Sequence, residues 1–392
     1  MNATNAAATA PVIMPAGLDH DAQIRDIQTV IIDAPTRRSH KLANTEVSRQ
    51  SYVLVSLRLE NGVIGYGEAS TLGGPRWAEE SVESIKSVID TYLSPVLKGR
   101  CALKFEANAV VMAAAAQRNF AAKAALESAM LDAAGKTLGL PASAFLGGAV
   151  RSRFPVIWAL ASGDPIQEIE EARQKIAARE FNRFKIKIGF AEPAADIARL
   201  QAVRSALGDD TLLVVDVNQG WSEATCLRWM PALEELGVDL VEQPLPAGKL
   251  EAMARVARRS RVPLMLDEAV FTPEETLRGA VTGAGSVLSL KLVKAGGLFA
   301  MKRIAAIASA GGMQLYGGCL LESSVGAAAH LACFATLPTL EWGTEHFGPK
   351  ILIEDLAVHG LVYRDFEVHL PEGPGLGVEP DPERIRAFSR KG

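Results

Sequence analysis

The chain has 392 residues, 48% of them hydrophobic and 22% charged, and a formal net charge of −4. That length is too great for one ordinary domain and suits a barrel with a companion domain. The near-balanced, dispersed charge gives no electrostatic basis for binding nucleic acid, and no stretch is long and apolar enough to cross a membrane.

Residues 1–21 are rich in Ala, Asn and Thr. They lack the basic start and apolar core of a secretory signal and are expected to form a flexible tail. An α+β domain is expected over 22–150. Strands are predicted at 27–32, 51–59 and 63–69, with a turn at Glu60-Asn61-Gly62, followed by helical stretches at 79–97 and 107–138. Barrel rhythm occupies 151–358. Strands are predicted at 156–160, 183–187, 212–217, 240–242, 264–267, 287–291, 313–316 and 340–342, with helices between them. One such helix carries the basic cluster Arg255, Arg258, Arg259 and Arg261, whose spacing fits an exposed face. From 359 to 392 the pattern is β-like again at 361–363 and 366–370, and this segment is expected to pack back on the N-terminal domain. The fold class is therefore α/β: a modified (β/α)8 TIM-type barrel with an N-terminal α+β capping domain completed by the C-terminal segment. Cys101, Cys226, Cys319 and Cys333 show no metal-ligand spacing and read as reduced thiols of a cytoplasmic protein.

Five barrel runs end in a charge: Lys187, Asp216, Glu242, Asp267 and Lys291. Strand ends converge at one mouth of a barrel, where catalytic groups sit. Singly, each carboxylate would equally well cap the next helix. Together, three hard oxygen ligands suit Mn²⁺ or Mg²⁺, with Asn218 close enough to support them. Lys185 and Lys187 are two apart and share one strand face, and the apolar Phe184, Ile186 and Ile188 demand burial. Lys291 is expected across the mouth from them. Lys294, in the following loop, is expected to meet a substrate carboxylate or to lie on the surface. Glu345 is expected beside Lys291, as an ion pair or a helix cap. A cation at a carboxylate, with lysines on either side, stabilises the charge created when an α-proton is lost.

The pieces Lys185-Ile186-Lys187, Asp216-Val217-Asn218, Glu242-Gln243-Pro244, Asp267-Glu268 and the Lys291 segment ending in Gly296-Gly297 resemble the muconate lactonizing subgroup of the enolase superfamily, over nearly the whole chain after the tail. Tyr316-Gly317-Gly318, Trp342-Gly343-Thr344-Glu345 with Phe347-Gly348-Pro349, and the stretch from Gly67 to Gly74 are similar to the cycloisomerases of that subgroup. The resemblance implies metal-dependent cycloisomerisation of cis,cis-muconate, or a substituted muconate, to muconolactone through an enolate, in aromatic-compound degradation. It implies Lys187 as acid/base, with Lys185, Lys291 and Glu345 also catalytic. Asp216, Glu242 and Asp267 are the implied metal ligands, and Leu72, Trp77, Lys294 and Phe347 the residues shaping the pocket for a small dicarboxylate. A homo-oligomer, a ring of eight, is expected on the same ground. Pro75 and Trp77 are equally at home in relatives acting on chlorinated muconates. Glu322-Ser323-Ser324-Val325 replaces a glycine-rich version, and the charge of Arg76 is expected either to be solvated or to meet an anionic substituent.

Other readings share the scaffold: N-acylamino acid racemase, dipeptide epimerase and o-succinylbenzoate synthase. Dipeptide epimerases tend to carry Asp-x-Asp after the eighth strand, where this chain has Gly343-Thr344-Glu345-His346. A barrel reduced to binding alone conflicts with the presence of every acid, base and ligand.

Overall fold

The computed structural model describes residues 17–41 and 46–391. β1 (Ile24–Lys41) and β2 (Glu46–Leu59) pair antiparallel, and β3 (Ile64–Thr71) returns along β2. The Asn61 side chain accepts the Val63 N–H at 3.0 Å and so shapes the turn into β3. Helix Phe120–Leu138 lies directly on this sheet. A Cβ on Gly65 or Gly67 would stand 2.1 or 2.0 Å from the carbonyl oxygen of Ala129 or Ala125, so only glycine permits the approach.

Three expectations for this half need correction. Residues 1–16 of the expected tail lie outside the described residues, but Leu18–Asp21 forms a helical turn whose Asp19 meets Lys104 at 2.8 Å. The helical stretch expected over 107–138 is two helices, Phe105–Ala115 and Phe120–Leu138. Arg118 and Asn119 between them take left-handed backbone, with φ of 50° and 46°, which no α-helix can contain. The stretch expected from 79 starts at Val82, where Ser81 caps the N-terminus.

After β4 (Arg153–Pro155) the chain winds a parallel sheet of seven strands. These are β5 (Ile157–Leu160), β6 (Arg183–Lys187), β7 (Leu212–Asp216), β8 (Leu240–Glu242), β9 (Leu264–Leu266), β10 (Val287–Leu290) and β11 (Gln314–Gly317). Each neighbours the next in chain order, joined through the intervening helix. The eighth strand expected at 340–342 is a turn instead. Residues 343–345 take its place in the wall. The Ile157 N–H donates to Thr344 O (2.8 Å) and the Glu345 N–H to Gly317 O (2.8 Å), bridging β5 and β11. Gly343 has φ 70°, and a Cβ there would lie 2.3 Å from Pro155 O. That left-handed residue cannot belong to a regular strand, so closure is by isolated bridges.

β12 (Tyr363–Arg364) pairs with β13 (Glu367–His369), and β13 with β4, so both stay apart from the capping sheet. The return to the N-terminal half comes later. Ser389 bridges Ile32, and the Arg390 guanidinium grips both oxygens of Asp33 at 2.7 Å each. Leu352, Leu356, Ile385 and Phe388 then pack on Ile32, Ala34 and Tyr52. The C-terminal segment thus completes the capping domain through its final helix, Pro382–Phe388.

Candidate active site

Parallel register sets which side chains share the barrel interior. Lys187 pairs with Asp216, and Asp216 with Glu242. Glu242 is opposite Met265, so Asp267 lies two positions further along on the same face. One layer down, Ile157, Val214, Leu240, Met265, Val287 and Tyr316 form a separate apolar cluster that plugs the barrel. The charged groups lie at the strands' C-terminal ends, except Lys185, which is level with Val214 of that plug. All are buried, so every charge needs a partner.

The partners fall into three groups, around Lys187, Lys185 and Asp267. Lys187 donates to Asp216 at 2.5 Å and to Asn218 Oδ1 at 3.2 Å. Lys185 lies between Glu242 and Glu345. Lys291 and Lys294 both bond Asp267, the latter at 2.8 Å. Burial resists the Lys185 charge, but Glu242 and Glu345 outweigh it and lift its pKa well above the usual lysine value. Asp267 and Lys291 behave likewise: burial opposes each charge, their mutual attraction prevails, and Asp267 falls while Lys291 rises. Glu242 is pushed well above the carboxylate range by burial and by Asp216. Glu268, which accepts the Asn218 amide at 3.3 Å, is pushed up to about 7 by burial and by Asp267. Oε1 of Glu242 and Oε2 of Glu268 are buried with no hydrogen-bond partner. Such oxygens are costly to leave unsatisfied. They fit a hard divalent cation held by Asp216, Glu242 and Asp267, with Glu268 close by.

Sequence comparison agrees with this arrangement. Residues 26–147 match the mandelate racemase / muconate lactonizing enzyme N-terminal domain, and residues 167–384 match the enolase C-terminal domain-like family. The chain belongs to the mandelate racemase/muconate lactonizing enzyme family. Membership implies a divalent metal ion. The muconate cycloisomerase 1 of Pseudomonas putida is 42% identical over 370 residues, covering 94% of this chain and 99% of its own. A chloromuconate cycloisomerase of Cupriavidus necator is 42% identical over 368 residues, with the same coverage. A muconate lactonizing enzyme from Pseudomonas fluorescens, solved with muconolactone, superposes with a TM-score of 0.93 at 44% identity, covering 95% of this chain and 100% of its own.

Within this family member, the mouth above the charged layer is apolar. Leu72, Trp77, Phe271, Val293 and Leu320 line a small cleft there, together with Ser70, Thr71 and Glu80. The Trp77 ring lies 4.5 Å from Lys291 Nζ and stacks on Phe271 at 6.0 Å. Three residues stand differently from expectation. Lys294 gives its three donors to Asp267 O (2.9 Å), Asp267 Oδ1 (2.8 Å) and Ser289 O (2.8 Å). A fully used ammonium holds Asp267 in place and does not project into the mouth. Glu345 pairs with Lys185 and not Lys291, because residues 343–345 bridge to β5, next to β6. Tyr316 Oη (3.0 Å) and the Cys319 N–H (2.9 Å) fix its other contacts. Phe347 lies against Trp158, ring centroids 4.9 Å apart, and lines the wall behind the lysine pair.

Sequence reasoning gave no role to Glu68, Gln243, Glu268, Phe271 or the histidines. Gln243 Oε1 accepts the Asp267 N–H at 2.9 Å and links two ligand strands. Glu68 crosses the domain seam and accepts the Ser323 N–H at 3.0 Å. Its place inside an otherwise small and apolar strand was the available signal. Glu322, His330 and His346 bring ligand atoms within 4.8 Å of one another, a second candidate metal group. His330 Nδ1 meets Gly326 O at 2.8 Å, and its Nε2 accepts the Leu292 N–H at 3.0 Å. Both nitrogens being used, this group fits a cation less well than the three barrel carboxylates. Among the described residues no helix is long and apolar enough to cross a membrane.

Proposed function

We propose that the protein is a cycloisomerase for cis,cis-muconate or a ring-substituted muconate, forming the corresponding lactone. The observation that carries this reading is the pair of facing amines, Lys187 on β6 and Lys291 after β10, on either side of three carboxylates and beneath an apolar pocket. Five carboxyl groups, Asp216, Glu242, Asp267, Glu268 and Glu345, stand among four amines, Lys185, Lys187, Lys291 and Lys294. A divalent cation held by three of the carboxylates would add positive charge beside the amines and suit a small dianion. Mn²⁺ and Mg²⁺ both suit the oxygen donors.

In the reaction, an oxygen of one substrate carboxylate adds to the double bond conjugated with the other carboxylate. The π electrons move to the carbon next to that second carboxylate. When bound, the cation supplies charge neutralisation to this carboxylate as the negative charge develops. Lys187 gives its proton to the carbon and is recharged from water. Lys291 stays charged and stabilises the opposite side, held in place by Asp267. Lys185 and Glu345 are positioning residues, since each is bound chiefly to the other and to Glu242 and Tyr316. Leu72, Trp77 and Phe271 exclude water from the diene, and a dry site strengthens each of these charge interactions.

The test is loss of diene absorbance when Mn²⁺-loaded protein meets cis,cis-muconate, with 2-chloro- and 3-methylmuconate alongside. Rapid loss abolished by a chelator is expected, and the rate ratios rank the substituents. No loss with any diene, together with α-proton exchange of N-acylamino acids or dipeptides in heavy water, would move the reaction to racemisation or epimerisation.

A further inference from the structure

One buried side chain over the site has an unused ring nitrogen. His40 sits near the end of β1, paired with Val47 just past an irregularity in the β1–β2 register. It is 2% exposed, and its Nδ1 has no hydrogen-bond partner. Buried imidazoles ordinarily use both nitrogens, and an unsatisfied one is costly.

The backbone around His40 is tied to the barrel wall on both sides. Arg38 donates to Ala159 O at 2.6 Å and to Glu171 at 2.7 Å. The Lys41 N–H donates to Ala161 O at 3.0 Å. Both carbonyls are at the mouth end of β5, which pairs with the strand bearing Lys185 and Lys187. The charges of these two lysines reach the ring and, after burial, help keep it neutral. Phe347 backs the imidazole at 6.3 Å between ring centroids. A capping-domain residue is thus held at the mouth end of β5, beside the strand that bears the lysine pair, with one ring nitrogen unpartnered.

We infer that His40 is a substrate-contacting residue, donating a ring N–H to a carboxylate oxygen of the substrate. This deepens the dicarboxylate reading above and rests on it. A further cation would be repelled by the two ammonium groups already there, whereas an anionic acceptor is attracted by all three groups. A dicarboxylate has oxygens to spare for it after one end has met the metal ligands. Because the contact exists in the bound substrate as well as in the transition state, His40 acts on binding more than on the chemical step.

The experiment compares wild type, His40→Phe and His40→Gln, all loaded with Mn²⁺. Turnover of cis,cis-muconate gives KM and kcat. Calorimetry gives the affinity for adipate, an unreactive six-carbon dicarboxylate, and thermal melts report folding. His40→Phe is expected to raise KM and weaken adipate binding by about 10–100-fold, the worth of a hydrogen bond to a charged group, with kcat within about threefold. His40→Gln keeps a donor and should recover most of the affinity. Unchanged KM and adipate affinity in His40→Phe would overturn the inference. So would equal loss in both variants in step with a lowered melting temperature, which marks a packing role. If wild type binds adipate through His40 but leaves muconate intact, the dicarboxylate contact stands and the cycloisomerase reading falls. If wild type neither binds adipate nor consumes muconate, both fall.

Discussion

At the residue scale, Lys187 and Lys294 separate two uses of an ammonium group. Lys187 bonds the side chains of Asp216 and Asn218 at the mouth, whereas Lys294 spends all three donors on Asp267 and Ser289. Lys187→Ala is expected to lower kcat by roughly 10²–10⁴-fold, the usual worth of a general acid, with Mn²⁺ affinity nearly kept. Steady-state turnover beside metal titration checks this, and more than a tenth of wild-type activity would dismiss Lys187 as the proton donor. Lys294→Met should act differently. It leaves a buried carboxylate short of a partner, so both metal affinity and the melting temperature should fall. Sequence pattern identified both lysines but could not separate them. The distinction depends on where a loop carbonyl and a strand carbonyl happen to converge.

At the element scale, two glycines determine contacts that no side chain could make. Gly67→Ala would put a Cβ 2.0 Å from Ala125 O, between β3 and the helix above it. Overpacking of this kind costs about 1–3 kcal/mol, and denaturant unfolding should show a loss of at least that size. Smaller losses would mean that the helix can shift without penalty. The predicted strands for β5–β11 agree with the observed ones within a residue or two, because each is a short apolar run, and the five from β6 to β10 also end in or run into a charge. The eighth was misplaced because Leu340-Glu341-Trp342 has strand-like composition, while the backbone bonds of 343–345 close the wall. Hydrogen-bond partners 190 residues away cannot be read from local composition.

At the scale of the whole molecule, the two domains meet across buried polar groups. Tyr52 donates to Leu321 O at 2.7 Å, and Ser70 to Glu322 at 3.1 Å. Burial, against the Ser323 hydrogen bonds, pushes Glu68 up to about 8. A carboxyl raised in the folded state binds more protons folded than unfolded between its ordinary pKa and about 8. Its stabilising share is therefore fully present below that window and is lost as pH rises through it. Glu68→Gln removes this dependence. Unfolding free energies of variant and wild type should thus shift in the variant's favour from pH 5 to pH 8, by up to about 1.4 kcal/mol per pH unit. A pH-independent difference would show that Glu68 titrates normally. The barrel mouth gives a second molecule-wide prediction. A divalent cation bound only by the folded state at 100 times its Kd should add about 2.7 kcal/mol, seen as a rise in melting temperature that a chelator reverses.

The sequence by itself determined the barrel, the capping domain and the five charged strand ends, because strand period and strand-end charge are local properties of the chain. It also carried the family resemblance through the spacing of those pieces. Only the tertiary structure decided that Glu345 serves Lys185, that Lys294 is consumed in holding Asp267, and that the segment of His40 is tied to the end of β5. These depend on which residues meet across the seam and around the closed wall. Burial makes such meetings strong enough to set protonation, but nothing in the local order of residues records them.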